Sequence, residues 1–81
     1  MKDKNIENFN LTSAMISGSR VIAKGRKIRD IERLVKNYGG KPSKWQKKSS
    51  PVFEVDGEYY EFHWYEQTGI GRVEIKRKEV S

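Results

Sequence analysis

Two short runs of this chain carry side chains that can move protons and hold phosphates. The first is Glu58-Tyr59-Tyr60-Glu61-Phe62-His63-Trp64-Tyr65-Glu66, which contains the only histidine; the second is Arg72-Val73-Glu74-Ile75-Lys76-Arg77-Lys78. RNA cleavage by transesterification needs a base for the 2′-hydroxyl proton, an acid for the departing 5′-oxygen and cations to hold the charge on phosphorus, and it needs no metal. His63 is the candidate for proton transfer, since histidine changes charge nearest neutral pH. Glu61 or Glu74 would orient it or act as base, and Arg72, Lys76 and Lys47 would bind the phosphate. Tyr65, Tyr59 or Trp64 would stack on a base. A purely structural account stands beside this one: a histidine packed next to tryptophan, and Glu and Lys on adjacent strands paired as cross-strand ions.

These residues have to be positioned by strands. Alternation with period two sends Tyr60, Phe62 and Trp64 to one face and Tyr59, Glu61, His63 and Tyr65 to the other, and Val73 and Ile75 alternate with Arg72, Glu74, Lys76 and Lys78. Gln67-Thr68-Gly69-Ile70-Gly71 joins the runs as a hairpin loop. Pairing the apolar sides predicts His63, Glu61 and Tyr65 on one surface with Arg72, Glu74 and Lys76. Val52 to Val55, followed by the Asp56-Gly57 turn, adds a third antiparallel strand.

Upstream, Ile28, Ile31, Leu34, Val35 and Tyr38 recur at helical spacing and predict a helix over Lys27 to Tyr38, stopped by Gly39-Gly40 and Pro42. Its stripe is expected against the face made by Tyr60, Phe62, Trp64, Val73 and Ile75. A shorter helix, capped near Asn10 or Thr12, is expected to end at Gly18, and Ser19 to Gly25 reads as an edge strand or an extended lead-in. The segment Lys41 to Pro51 reads as a polar connection in which Trp45 plugs the core edge or anchors a phosphate-binding rim. That rim would comprise Lys47, Lys48, Ser49 and Ser50. Residues 1–8 read as a flexible leader, 9–78 as one domain and 79–81 as a frayed tail.

The chain has 81 residues, with 17 Lys and Arg against 11 Asp and Glu, a formal charge of +6. The excess suggests a polyanionic or acidic partner. The absence of cysteine excludes disulfides and thiolate chemistry, and a single histidine without an acidic pair at ligand spacing argues against a metal site. No cofactor is expected. No apolar run reaches the roughly 20 residues of a membrane helix, so no membrane partner is expected either.

Tyr38-Gly39-Gly40-Lys41 with Trp45, Lys47-Lys48-Ser49-Ser50, Phe62-His63-Trp64-Tyr65-Glu66 and Gly71-Arg72-Val73-Glu74-Ile75-Lys76 resemble the C-terminal toxin domains of bacterial polymorphic and contact-dependent toxins. The likeness runs from about Ser19 to Lys78. Many such domains belong to the ribonuclease group that links barnase, EndoU, the anticodon-cleaving colicins and RelE-type toxins. The resemblance implies a helical part followed by an antiparallel sheet of about four strands, and metal-independent cleavage of RNA, with tRNA among the targets. It also implies a cognate acidic immunity or antitoxin protein, and delivery from a secreted or surface parent into a target cell's cytoplasm. With one histidine, this chain would rely on a single-His mechanism or one led by Lys and Arg. The expectation is therefore α+β: one main helix and a shorter one on a three- or four-stranded antiparallel sheet. The functional expectation is an endoribonuclease with His63, Arg72, Lys76 and Glu61 in catalysis and Lys44, Lys47, Lys48, Ser49 and Tyr65 on RNA. A non-catalytic nucleic-acid-binding module and a basic domain for an acidic protein remain as alternatives.

Overall fold

A computed structural model describes residues 10–80; the leader lies outside the described residues. The fold is α+β. A one-turn helix, α1 (Ser13–Ser17), starts at Thr12, whose hydroxyl accepts the Met15 N–H at 3.1 Å, and ends at Gly18. Strand β1 (Arg20–Lys24) follows, then a 3-10 turn at Gly25–Lys27 and helix α2 (Ile31–Tyr38). A second 3-10 turn, Pro42–Lys44, leads into β2 (Gln46–Ser49), β3 (Phe53–Val55), β4 (Glu58–Gln67) and β5 (Gly71–Val80).

All five strands form one antiparallel sheet around β4. β5 flanks β4 along its length, while β2 pairs with Glu66 to His63 and β3 with Tyr60 to Glu58 on the opposite side; β1 lies outside β2. β2 and β3 thus run end to end, with Ser50, Pro51 and Val52 opposite only Glu61 and Phe62. Pro51 has no N–H to donate. Ser50 restores the ladder there: its N–H reaches the Phe62 carbonyl and its hydroxyl accepts the Phe62 N–H, both at 2.9 Å.

Segment 41–51 is therefore not a simple polar connection: it holds the Pro42–Lys44 turn and strand β2, Gln46–Ser49. Its alternation is hidden because β2 carries no hydrophobic residue, only Gln46, Lys47, Lys48 and Ser49. Glu79 and Val80, expected to fray, instead pair with Tyr60 and Tyr59. The main helix begins at Ile31, not Lys27: Gly25 turns the chain at φ 61°, and Ile28 takes an extended conformation that delivers its side chain to the core ahead of the helix. Gly39, at φ 86°, ends α2 as the sequence suggests.

The largest correction concerns which face α2 covers. Its cluster of Ile28, Ile31, Leu34 and Trp45 packs on Ala23, Tyr65 and Val73, the side of the sheet that also carries His63, and not on Tyr60, Phe62 and Trp64. The cause is a β-bulge in β5. His63 pairs with Lys76 but Tyr65 pairs with Val73, so one residue is inserted, and Glu74 there adopts φ 54°. The insertion flips the phase of everything before it. Val73 joins Tyr65 beneath the helix, Arg72 falls opposite Glu66, and Ile75 is left 46% exposed. On the far face Phe62 stacks on Phe53 with ring centres 5.2 Å apart, and Trp64 is buried with its indole N–H donated to Glu66 at 2.8 Å.

Where α2 exits, Gln67 brackets the Lys41 peptide, accepting its N–H at 3.1 Å and donating to its carbonyl at 3.3 Å. A Cβ on Gly40 would lie 2.6 Å from that amide, so only glycine fits.

Candidate functional site

Helix α2 has eight residues and spans about 12 Å, whereas the ten residues of β4 run about 33 Å, so α2 can cover only part of the face it docks on. The uncovered part, beside the first turn of α2, is a cleft of about 370 Å³. Lys47, His63, Tyr65, Lys76 and Lys78 line it from the sheet, and Lys27, Arg29, Asp30, Arg33 and Glu74 from the helical side and the bulge. Six cations thus face two carboxylates. A negatively charged ligand is the chemical match for such walls.

On this face of the sheet His63 stands directly across from Lys76, and Glu61 across from Lys78. The His63 Nε2 lies 2.9 Å from a Glu61 carboxylate oxygen. Glu61 also accepts the Ser49 hydroxyl at 3.3 Å and lies 3.5 Å from the Arg20 guanidinium. The hydrogen bond from His63, helped by the one from Ser49 and by the nearby charge of Arg20, holds the Glu61 carboxyl below its ordinary range despite partial burial. In the neutral imidazole, a carboxylate at Nε2 keeps the proton on that nitrogen and leaves the lone pair on Nδ1. Nδ1 is buried and has no hydrogen-bond partner among the described residues.

Tyr65 sits between the cleft and the core. The Lys47 ammonium lies 5.7 Å from its ring centre, and burial pushes the Tyr65 hydroxyl upward, which makes it a poor proton donor.

At the bulge, Glu74 fastens helix to sheet. Its carboxylate takes two hydrogen bonds from Arg33, at 2.6 and 3.0 Å, and one from the Tyr38 hydroxyl at 3.0 Å. The Arg33 bonds hold Glu74 below the usual carboxylate range, and the same carboxylate raises Tyr38. A depressed carboxyl adds stability above its unfolded value and loses it as pH falls through the folded value. Glu74→Gln should therefore lower the urea midpoint at neutral pH and flatten its decline on acidification. A decline as steep as the parent's, followed from about pH 6 to pH 3, would leave Glu74 without this role.

The nine residues singled out in the sequence divide. His63, Glu61, Lys76, Lys47 and Tyr65 share one face, and all but Glu61 line the cleft itself. Arg72 does not join them: the bulge puts it on the Glu66 side. Lys48 also points away from them, paired with Glu66 at 3.7 Å. Ser49 is fully buried, where it can support Glu61 but offers no surface to a ligand. Lys44 lies in the Pro42–Lys44 turn, beside a separate depression with Tyr38 and Ile70. Missed altogether were Lys78, Arg20, Arg29, Arg33 and Lys27. Lys78 was legible as the next in-phase cation after Lys76; the helical ones were not, because the bulge that brings α2 to the His63 face leaves no mark in the residue types.

Among the described residues no group of three or more His, Cys, Asp or Glu is placed to hold a metal ion, and no helix is long and apolar enough to cross a membrane. Comparison of the chain with protein-family models, with curated proteins and with solved structures finds no match.

Proposed function

We propose that this chain is a metal-independent endoribonuclease domain of the bacterial toxin kind, with the His63 cleft as its active site. The observation that supports it is the placement of the only histidine, held by a carboxylate and facing Lys76, within a cleft whose walls carry six cations. In this reading Nδ1 of His63 takes the 2′-hydroxyl proton, and Glu61 stabilises the imidazolium through Nε2. The 2′-oxygen then forms its bond to phosphorus as the bond to the 5′-oxygen breaks. The Lys76 ammonium supplies the proton to that leaving oxygen, while Lys47 and Lys78 hold the phosphate. Arg72 has no part. An acidic immunity protein covering the same cleft, and delivery into a target cell's cytoplasm, complete the proposal; tRNA is one substrate to try.

The shielding of Nδ1 favours a second reading, in which the His63–Glu61 pair is structural and the cleft only binds nucleic acid. Incubation with total RNA in EDTA separates the two. Cleavage that leaves 2′,3′-cyclic phosphate ends and persists in the chelator is the expected result. Binding without any new ends would replace the enzyme with a binding module.

A further inference from the structure

On the flank of the cleft the two 3-10 turns meet and form a second basic surface, separate from the proposed active site except at Lys27. A shallow depression there is lined by Lys24, Arg26, Lys27 and Lys41 around Gly25 and Pro42. All four cations are exposed, and none has an ion-pair partner among the described residues. That contrasts with Arg20, Arg33 and Lys48, each held by a carboxylate.

The backbone that presents these cations is fixed from several directions. The Gly25 N–H bonds to the Trp45 carbonyl at 2.9 Å, and its carbonyl accepts the Ile28 N–H at 2.9 Å. Lys41 has its peptide bracketed by the buried Gln67 amide, and its carbonyl accepts the Lys44 N–H at 2.9 Å. A Cβ on Gly25, already at φ 61°, would be in contact with Ser43, so the two turns are pressed together there. Lys27 lines both this depression and the His63 cleft, which makes the two basic surfaces continuous.

We infer that the depression is a subsite for the phosphodiester backbone of single-stranded RNA flanking the nucleotide held in the cleft, with Lys27 as the junction and Lys24, Arg26 and Lys41 as its phosphate contacts. The inference rests on the proposed action on RNA and adds where the strand leaves the active site. Exposed cations on a firmly held backbone beside a charged cleft, without ion-pair partners among the described residues, gain affinity by releasing counterions from successive phosphates, whatever the base sequence. Length should therefore matter: a dinucleotide fills only the cleft, and a longer strand reaches both surfaces.

The test measures binding of a 2′-O-methyl dinucleotide and a 2′-O-methyl 12-mer, neither of which can be cleaved, across a salt series. The variants are Lys24→Gln/Arg26→Gln/Lys41→Gln and, as a charge-conserving control, Lys24→Arg/Arg26→Lys/Lys41→Arg, both checked for folding by circular dichroism. Three phosphate contacts on a single strand correspond to about 2 units in the log–log salt slope, or roughly 100-fold in affinity near 0.1 M salt. The glutamine variant should lose that much for the 12-mer and under about twofold for the dinucleotide, and the control should restore it. A 12-mer slope unchanged by the glutamines, or equal losses for both lengths, overturns the subsite while leaving the cleft intact. If the unaltered protein binds neither RNA, the proposed function fails together with the subsite. Displacement of the 12-mer by poly-glutamate at equal charge concentration would assign the surface to an acidic protein, and likewise overturn it.

Discussion

His63→Ala is expected to lower RNA cleavage by about 10²–10⁴-fold, the usual consequence of losing a general acid or base, while the protein stays folded. The folding half follows from the partners left behind. Glu61 keeps the Ser49 hydroxyl and the Arg20 guanidinium, so no carboxylate is stranded, and the imidazole contributes no other hydrogen bond among the described residues. Affinity for an uncleavable RNA should change little, because the six cations of the cleft remain. Single-turnover cleavage, read beside a binding titration and a urea melt, tests all three statements. Cleavage at the parent's rate would remove His63 from the chemistry and leave Lys76 and its neighbours to carry it. Loss of cleavage together with loss of the melting transition would show His63 to be a structural residue instead. Lys76→Gln is the companion variant: in the proposed mechanism it slows the departure of the 5′-oxygen, so a substrate with a better leaving group should be affected less.

Much of the architecture was legible because it rests on periodicity. The apolar stripe of Ile31, Leu34 and Val35, the glycine stop after Tyr38, the Asp56-Gly57 turn and the alternation of β4 all appear as the sequence suggests. The misreadings trace to two local devices. β2 escaped notice since its side chains are polar on both faces: Lys47 lies over the Tyr65 ring, Lys48 pairs with Glu66 and Ser49 bonds to Glu61. Its hydrophobic anchor is the preceding Trp45, outside the strand. The bulge at Glu74 was invisible for a different reason. Val73-Glu74-Ile75 alternates perfectly as written, and nothing in the residue types shows that Glu74 takes φ 54° and bonds to a helix some 40 residues earlier in the chain. That one inserted residue removed Arg72 from the site and turned Val73 into the core. It also gave α2 a place on the His63 face, so the expected open sheet surface is a cleft with helical cations along one wall.

Trp45→Ala should be the most damaging single substitution in the chain, costing about 3–5 kcal/mol. Domains this small have total stabilities toward the lower end of the usual 5–15 kcal/mol, so the variant should keep only about 0–2 kcal/mol and be partly unfolded at 25 °C without denaturant. Trp45 has no exposed surface, contacts Ile28, Ile31 and Leu34, and sets its ring 6.2 Å from that of Tyr38. Its indole N–H also serves the Gly39 carbonyl at 3.0 Å, just where α2 ends in a left-handed residue. Trp45→Phe separates the two contributions: most of the packing survives, the carbonyl loses its donor, and the cost should fall to about 1–2 kcal/mol. Trp64 is the only other tryptophan and lies on the opposite face of the sheet, so its fluorescence reports unfolding in both variants. Because Trp45 leads directly into β2, it also places Lys47 beside Tyr65 and Ser49 beneath Glu61. Cleavage by Trp45→Ala should consequently disappear in step with its far-UV circular dichroism, whereas Trp45→Phe, below its melting point, should cleave within a fewfold of the parent. A Trp45→Ala protein that melts within about 1 kcal/mol of the parent would mean that α2 is held to the sheet chiefly by Glu74 and Arg33, and Arg33→Ala would then be the variant that releases it.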